Sequence, residues 1–260
     1  MLLHALILGI VEGVTEFLPI SSTGHLIVAG SLLGFSDARA GVFYVAIQTG
    51  AMLAVVWEYR SRFFRADVKL WTNLAVAFVP VAVLGLAFGS FIKQILFKPV
   101  PVALAFIAGG VIILFVEKGS LKSRIETTRS MTWLDALKVG VAQCVALIPG
   151  TSRAGATIIG GMLFGLSRPA ATEFSFFLAV PTLCAAGAWD LWHNRALFSA
   201  DDIGMFAVGI AVSFASAFVV IRWLIRYVAT HDFRPFAWYR IVFGAVVLLT
   251  AHFGWVTWKG

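Results

Sequence analysis

Charge is scarce in this chain of 260 residues. Asp, Glu, Lys and Arg make up 13% of it, against about 25% in an ordinary soluble domain. A deficit of that size, beside 60% hydrophobic residues, excludes a soluble core. Cysteine is scarce as well. Cys144 and Cys184 both lie in apolar surroundings, which excludes a disulfide framework or a cysteine metal site and predicts two buried, inert thiols. A basic segment ahead of the first apolar run is missing, and so is a clear A-x-A cleavage site, so no cleaved signal peptide is expected. The net charge of +7 is not gathered into one solvated stripe. It falls in short loops between apolar runs, a pattern that speaks against nucleic acid and follows the positive-inside rule.

Long apolar runs are what the chain has in abundance. Its mean hydropathy is +0.92, and the runs reach the roughly 20 residues that a membrane span needs. Nine Trp and 23 Phe suit lipid contact and anchoring at the interface. The class is an all-α, polytopic integral membrane protein, a single membrane domain over 1–260.

Two stretches break this apolar background. The first is Glu12-Gly13-Val14-Thr15-Glu16-Phe17-Leu18-Pro19-Ile20-Ser21-Ser22-Thr23-Gly24-His25, set between two apolar arms of about 10–16 residues. Arms that short suit a re-entrant hairpin better than a span, and Pro19 breaks the helix where they meet. The second, Pro149-Gly150-Thr151-Ser152-Arg153-Ala154-Gly155-Ala156-Thr157, repeats the design. At an offset of 131 (140 − 9), Gly9 meets Gly140, Glu12 meets Gln143, Ser21 meets Ser152, Gly24 meets Gly155, Gly30 meets Gly161 and Gly34 meets Gly165. This spacing predicts an internal repeat, roughly 1–117 and 133–256, each copy a re-entrant helix hairpin followed by three transmembrane helices. The six apolar segments lie near 41–57, 73–90, 100–116, 170–189, 204–225 and 236–256.

An odd number of spans per copy inverts the second copy relative to the first. The loops 58–72, 117–133 and 226–234 are basic, the loop 190–203 is acidic with Asp190, Asp201 and Asp202, and 91–99 holds only Lys93 and Lys98. Placing the basic loops in the cytoplasm puts both termini outside, with one hairpin entering from each face. The two tips are then expected to meet near the midplane, as binding sites do in inverted-repeat proteins.

Ionisable groups in hydrocarbon-compatible sequence mark a functional site by default. Glu12 and Glu16, four residues apart, share a helix face. Two such carboxylates do not both ionise cheaply in a dry site, so one keeps a proton or a cation lies between them. Ser21, Ser22, Thr23 and Gly24 form a turn opening a helix whose N-terminus favours an anion. Ser22 beside His25 is the pairing of hydroxyl and imidazole that activates a nucleophile. Thr151 and Ser152 repeat the turn, and Arg153 adds a guanidinium whose fork matches phosphate oxygens. The set points to phosphoryl transfer or hydrolysis inside the membrane, with a serine or water as nucleophile. Gln48 is a further candidate for the turn, Glu173 for dipole stabilisation in a first helical turn, and Arg240 either snorkels or reaches the site. Inverted repeats with broken helices also occur in secondary transporters, so a lipid-phosphate flippase or anion transporter is the alternative.

At these residues, and at Glu173-Phe174-Ser175-Phe176, the sequence resembles the bacterial undecaprenyl-diphosphate phosphatases, also called the bacitracin-resistance protein family, over nearly its whole length. The resemblance implies a phosphoric anhydride hydrolase of the bacterial cytoplasmic membrane, open to the periplasmic side. It would remove the terminal phosphate of a polyprenyl diphosphate to recycle the lipid carrier for peptidoglycan. It further implies a divalent cation (Mg2+ or Ca2+) on Glu12 and Glu16, catalysis by Glu12, Glu16, Ser22 and His25, and substrate binding by Ser21, Thr23, Gly24, Gln48, Thr151, Ser152, Arg153 and Arg240. Ser22 or His25 would be the nucleophile, and a homodimer is compatible. One departure stands out: Ala154 replaces the second serine of the family's usual Ser-Arg-Ser-Gly.

Overall fold

The computed structural model describes residues 1–36, 38–65, 67–119, 122–195 and 202–255. Asp201 of the acidic loop and residue 256 at the edge of the last apolar segment lie outside them. The described residues form α1 (Leu2–Thr15), α2 (Ser22–Leu32), α3 (Ala38–Glu58), the single turn α4 (Arg60–Phe63), α5 (Val68–Leu96), α6 (Pro99–Lys118), α7 (Trp133–Gln143), α8 (Arg153–Leu163), α9 (Arg168–His193), α10 (Ile203–Val228) and α11 (Arg234–His252).

Six of these, α3, α5, α6, α9, α10 and α11, are long and apolar enough to cross a membrane. The other long-range elements are two short pairs. At 1.5 Å per residue the 14 residues of α1 and the 11 each of α2, α7 and α8 fall short of a bilayer core of about 30 Å. α1 folds against α2 and α7 against α8, two hairpins whose turns hold Pro19 and Pro149.

Local chemistry sets the helix starts. Asp67 accepts from the Leu70 N–H to cap α5, Ser167 caps α9, and Thr132 with Asp135 forms a reciprocal capping box on α7. Pro99, Pro169 and Pro235 open α6, α9 and α11, where a missing N–H does no harm. One boundary differs from the sequence expectation. α5 runs to Leu96, through most of the stretch expected as the loop 91–99, because nothing in Phe91–Leu96 breaks a helix.

The basic loops gather at one end. Lys69 Nζ donates to the Arg129 carbonyl at 2.7 Å, Thr128 Oγ1 to Glu173 at 2.6 Å, and the buried Glu117 takes the Arg168 guanidinium and the Phe233 N–H. Burial alone would raise the Asp135 carboxyl there. The hydroxyl and backbone N–H of Thr132, together with the Arg124 guanidinium, outweigh burial and hold it below the ordinary carboxylate range.

The halves correspond beyond the residue matches. The two non-glycine residues at positive φ among the described residues are Ser21 (71°) and Ser152 (74°), 131 apart. Gly34 (68°) and Gly165 (95°) share that offset. So do Gly9 and Gly140: a side chain at Gly9 would run into the Gly209 carbonyl of α10, and one at Gly140 into that of Ala77 in α5. Packing is exchanged between halves in the same way, α1 lying on α10 and α7 on α5, while α6 pairs with α11 and α3 with α9.

The thiols depart from expectation. Cys184 is exposed, on the outward side of α9, and Cys144 is half-buried, its Sγ bonded back to the Gly140 carbonyl. An apolar neighbourhood in a membrane protein is as often lipid-facing as core.

Candidate active site

The hairpin tips meet, and a buried arginine joins them. Arg240 is fully buried. Its Nη1 donates to the Pro19 carbonyl at 2.9 Å, its Nη2 to the Gly150 and Ala105 carbonyls at 3.0 and 3.1 Å, and its Nε to the Phe106 carbonyl at 3.2 Å. Gly109 leaves the space the guanidinium fills, since a side chain there would collide with it. Between the tips, Ser152 Oγ also reaches the Leu18 carbonyl at 3.5 Å. Arg240 does not snorkel; four of its five N–H groups hold the first tip, the second tip and α6 together.

Around this staple lies a buried polar cluster. Arg153, the first residue of α8, places Nη2 3.0 Å from Glu16 Oε1. Its Nη1 donates to the Ser175 carbonyl at 2.8 Å and the Ser175 hydroxyl at 3.0 Å, and Ser175 in turn lies 2.7 Å from Thr157 Oγ1. The other oxygen of Glu16 accepts from Ser22 Oγ at 2.5 Å. Glu12, one helical turn before Glu16, is fully buried, and among the described residues neither of its oxygens has a hydrogen-bond partner. An isolated buried carboxylate is expensive, so Glu12 is a group waiting for a proton or a cation.

His25 belongs to the same hairpin, but its partners are not those the spacing suggested. Nδ1 lies 2.7 Å from the Ser21 carbonyl and Nε2 2.6 Å from the Tyr239 hydroxyl, while Ser22 is bonded to Glu16. The residue beside the Ser22 hydroxyl is therefore a carboxylate. The helix starts differ too: Ser152 Oγ accepts from the Gly155 N–H at 3.0 Å and caps α8, whereas no side chain caps α2 at Ser21. The first N–H groups of α2 thus remain for an anion.

Of the other expected residues, Gly24 presses its backbone against the Phe106 ring, and Thr23 and Thr151 are half-buried at the two helix starts. Gln48 is half-buried on α3 and joins none of these hydrogen bonds. Glu173 sits beyond the first turn of α9 and is bound by Thr128 at the basic end, so it ties a loop rather than serving the helix dipole. Sequence reasoning gave no site role to Tyr239, nor to Ser175 and Thr157, although these two lie in stretches it singled out. Ser175 and Thr157 are hydroxyls inside apolar helices, the signal that drew attention to Ser22, and Tyr239 adjoins Arg240.

Chemically, the cluster offers a carboxylate against a hydroxyl, a guanidinium fork, an uncapped helix N-terminus and a second carboxylate without a partner. Among the described residues no three His, Cys, Asp or Glu side chains form a metal cage. A cation held by Glu12 and Glu16 would need further oxygens, and Mg2+ in particular is commonly bound by one or two carboxylates together with water and substrate phosphates. The residues present fit that arrangement.

The family model of the bacitracin resistance protein BacA matches residues 5–246. Among similar curated proteins, the undecaprenyl-diphosphatase of Dechloromonas aromatica is 61% identical over 267 residues, covering 99% of this chain and 97% of the relative. Undecaprenyl-diphosphatase 2 of Rhodospirillum rubrum is 60% identical over 269 residues, covering 100% and 98%, and the undecaprenyl-diphosphatase of Janthinobacterium is 60% identical, covering 98% and 97%. Similarity of this extent takes in both hairpin tips and every helix of the bundle, and on it the chain belongs to the bacitracin resistance protein BacA family.

Proposed function

We infer that the chain is an undecaprenyl-diphosphate phosphatase: it hydrolyses the terminal phosphate of undecaprenyl diphosphate to give undecaprenyl phosphate and inorganic phosphate. The observation that carries this is the Glu16 carboxylate, held by Arg153 from one hairpin and by Ser22 from the other, in a chain about 60% identical to named undecaprenyl-diphosphatases along its length. Those relatives' names favour cleavage over transport of an intact lipid. Recycling of the carrier for cell-wall synthesis, and resistance to bacitracin, follow from this reaction.

In this reading Arg153 and the uncapped start of α2, with Ser21, Thr23 and Gly24, receive the two phosphates, their donors already in place when charge builds on the terminal phosphate. Glu16 accepts the proton of Ser22, or of a water in its place. The deprotonated oxygen bonds to the terminal phosphorus as the bridging P–O bond breaks, so the lipid leaves with the inner phosphate. Attack by water releases inorganic phosphate at once; attack by Ser22 leaves a phosphoserine, which a water then hydrolyses to inorganic phosphate. Glu12 and Glu16 would hold a divalent cation, which would supply charge neutralisation on the diphosphate; the unpartnered oxygens of Glu12 support this. The exchanged packing and the shared left-handed serines support two inverted repeats over 1–117 and 133–256. With the basic loops in the cytoplasm, the first hairpin enters from the periplasmic face of the inner membrane and its site opens there.

The test is release of inorganic phosphate from a polyprenyl diphosphate by the purified chain in detergent, with and without Mg2+ or Ca2+. The expected result is turnover with either ion and its loss on chelation. No release under any of these conditions would overturn the assignment.

A further inference from the structure

Tyr239 has no part in the chemistry described so far, yet it makes a short and specific contact with the site. Its phenol oxygen lies 2.6 Å from His25 Nε2. Its ring is parallel to the imidazole (11° between planes), and both stack on Phe243, 4.2 Å from His25 by ring centroids. On the far side of the imidazole, Nδ1 faces the Ser21 carbonyl at 2.7 Å.

A carbonyl oxygen only accepts, so Nδ1 carries the proton. In the neutral ring the lone pair is then on Nε2, and the Tyr239 hydroxyl donates to it. The carbonyl doing this belongs to a serine at φ 71°, a conformation that costs of order 1–3 kcal/mol and tends to persist at functional sites. The ring's remaining neighbours are fixed. Phe106 of α6 packs against it, and the nearby charge, Arg240, is tied to four carbonyls. Tyr239 itself is 43% exposed on the outer side of α11. It stands between the buried imidazole and the outside of the helix bundle.

We propose that Tyr239 is a positioning residue for His25. The Ser21 carbonyl fixes the imidazole in the Nδ1–H form, and the Tyr239 hydroxyl holds the ring's orientation by donating to the Nε2 lone pair. The ring is thereby kept as a neutral acceptor at Nε2, with no need to change tautomer during turnover. This rests on the phosphatase reading above.

Tyr239→Phe removes only the oxygen and keeps the stacked ring, so it separates the hydrogen bond from packing. With the full chain in detergent and a polyprenyl diphosphate, kcat is expected to fall about tenfold while KM stays within about twofold, the effect of one lost orienting hydrogen bond. Nitrogen-15 NMR of histidine-labelled protein gives an independent readout, with His25 assigned by the signal lost in His25→Gln. Both proteins should show the Nδ1–H tautomer that the Ser21 carbonyl fixes, and in Tyr239→Phe the Nε2 resonance should move to that of a ring nitrogen without a hydrogen bond. Wild-type kcat in Tyr239→Phe overturns the proposal, and so does a slowed variant whose His25 Nε2 resonance is unchanged. If the wild type releases no phosphate, the phosphatase reading fails, and the NMR comparison alone decides whether Tyr239 holds the ring.

Discussion

Ser21 and Ser152 occupy equivalent places at the tips of the two hairpins, share a left-handed backbone, and each precedes a helix of 11 residues. From there the hairpins diverge. Ser152 turns its hydroxyl onto its own helix, whereas Ser21 caps nothing and turns its carbonyl to His25. The next residue is Ser22 in one and Arg153 in the other, and both donate to the same carboxylate, Glu16. One turn earlier, Glu12 corresponds in sequence to Gln143; both are fully buried and, among the described residues, both have polar atoms without partners, but only Glu12 can take a charge. The difference teaches how a symmetric frame makes a directional site. The first hairpin carries the two carboxyl groups and the imidazole, and the second carries a guanidinium and seals its own helix end.

The largest effect should come from removing what the two tips share. Arg240→Met leaves four carbonyls, at Pro19, Ala105, Phe106 and Gly150, without their donor in a buried site. A buried carbonyl left unpaired costs roughly 1–3 kcal/mol, and the two at the tips, Pro19 and Gly150, lie outside any helix. The unfolding midpoint in detergent should fall accordingly, and activity should be lost with it. A variant as stable as the wild type would mean that the tips hold together without this staple.

Next comes the asymmetry across Glu16. Arg153→Ala should lower kcat/KM by about 100- to 1000-fold, the range for removing one preorganised donor from a developing charge. Glu16→Gln should lower it as far, chiefly through kcat, because the amide still accepts from Ser22 but takes no proton. If Arg153→Ala changed only KM, the second hairpin would bind the diphosphate without favouring its cleavage.

Much of this was legible in the sequence, and the reasons are physical. A 14-residue arm ending before Phe17-Leu18-Pro19 can only turn back in a bilayer, and a carboxylate pair amid leucines has no inexpensive structural use, so the hairpins, the six spans and the convergence of Glu12, Glu16, Ser22 and Arg153 could be read directly. What could not be read was which hydroxyl meets which base. Ser22 and His25 are neighbours on any helix, but Ser22 bonds to Glu16 while His25 bonds to the Ser21 carbonyl and to Tyr239, which is 214 residues from His25 in the chain. From sequence, Arg240 is open between snorkelling and reaching the site, because a guanidinium suits an interface, a phosphate and a cluster of carbonyls alike. The arrival of two tip carbonyls from opposite halves places it at the site.

The smallest effects should separate the two serines themselves. Ser152→Ala removes the α8 cap and should cost about 1 kcal/mol of stability, because the hydroxyl serves the Gly155 N–H. Ser21→Ala removes no cap, so its stability should stay within about 0.5 kcal/mol of wild type, while its kcat/KM falls, the hydroxyl being left to face the phosphates. Alanine preserves the strained backbone at both sites, so the comparison reads the hydroxyls alone. Thermal unfolding and phosphate release on the same two preparations decide it. Equal stability losses at the two positions would mean that Ser21 also serves its own helix, and the first hairpin would then have no uncapped start with which to receive the substrate.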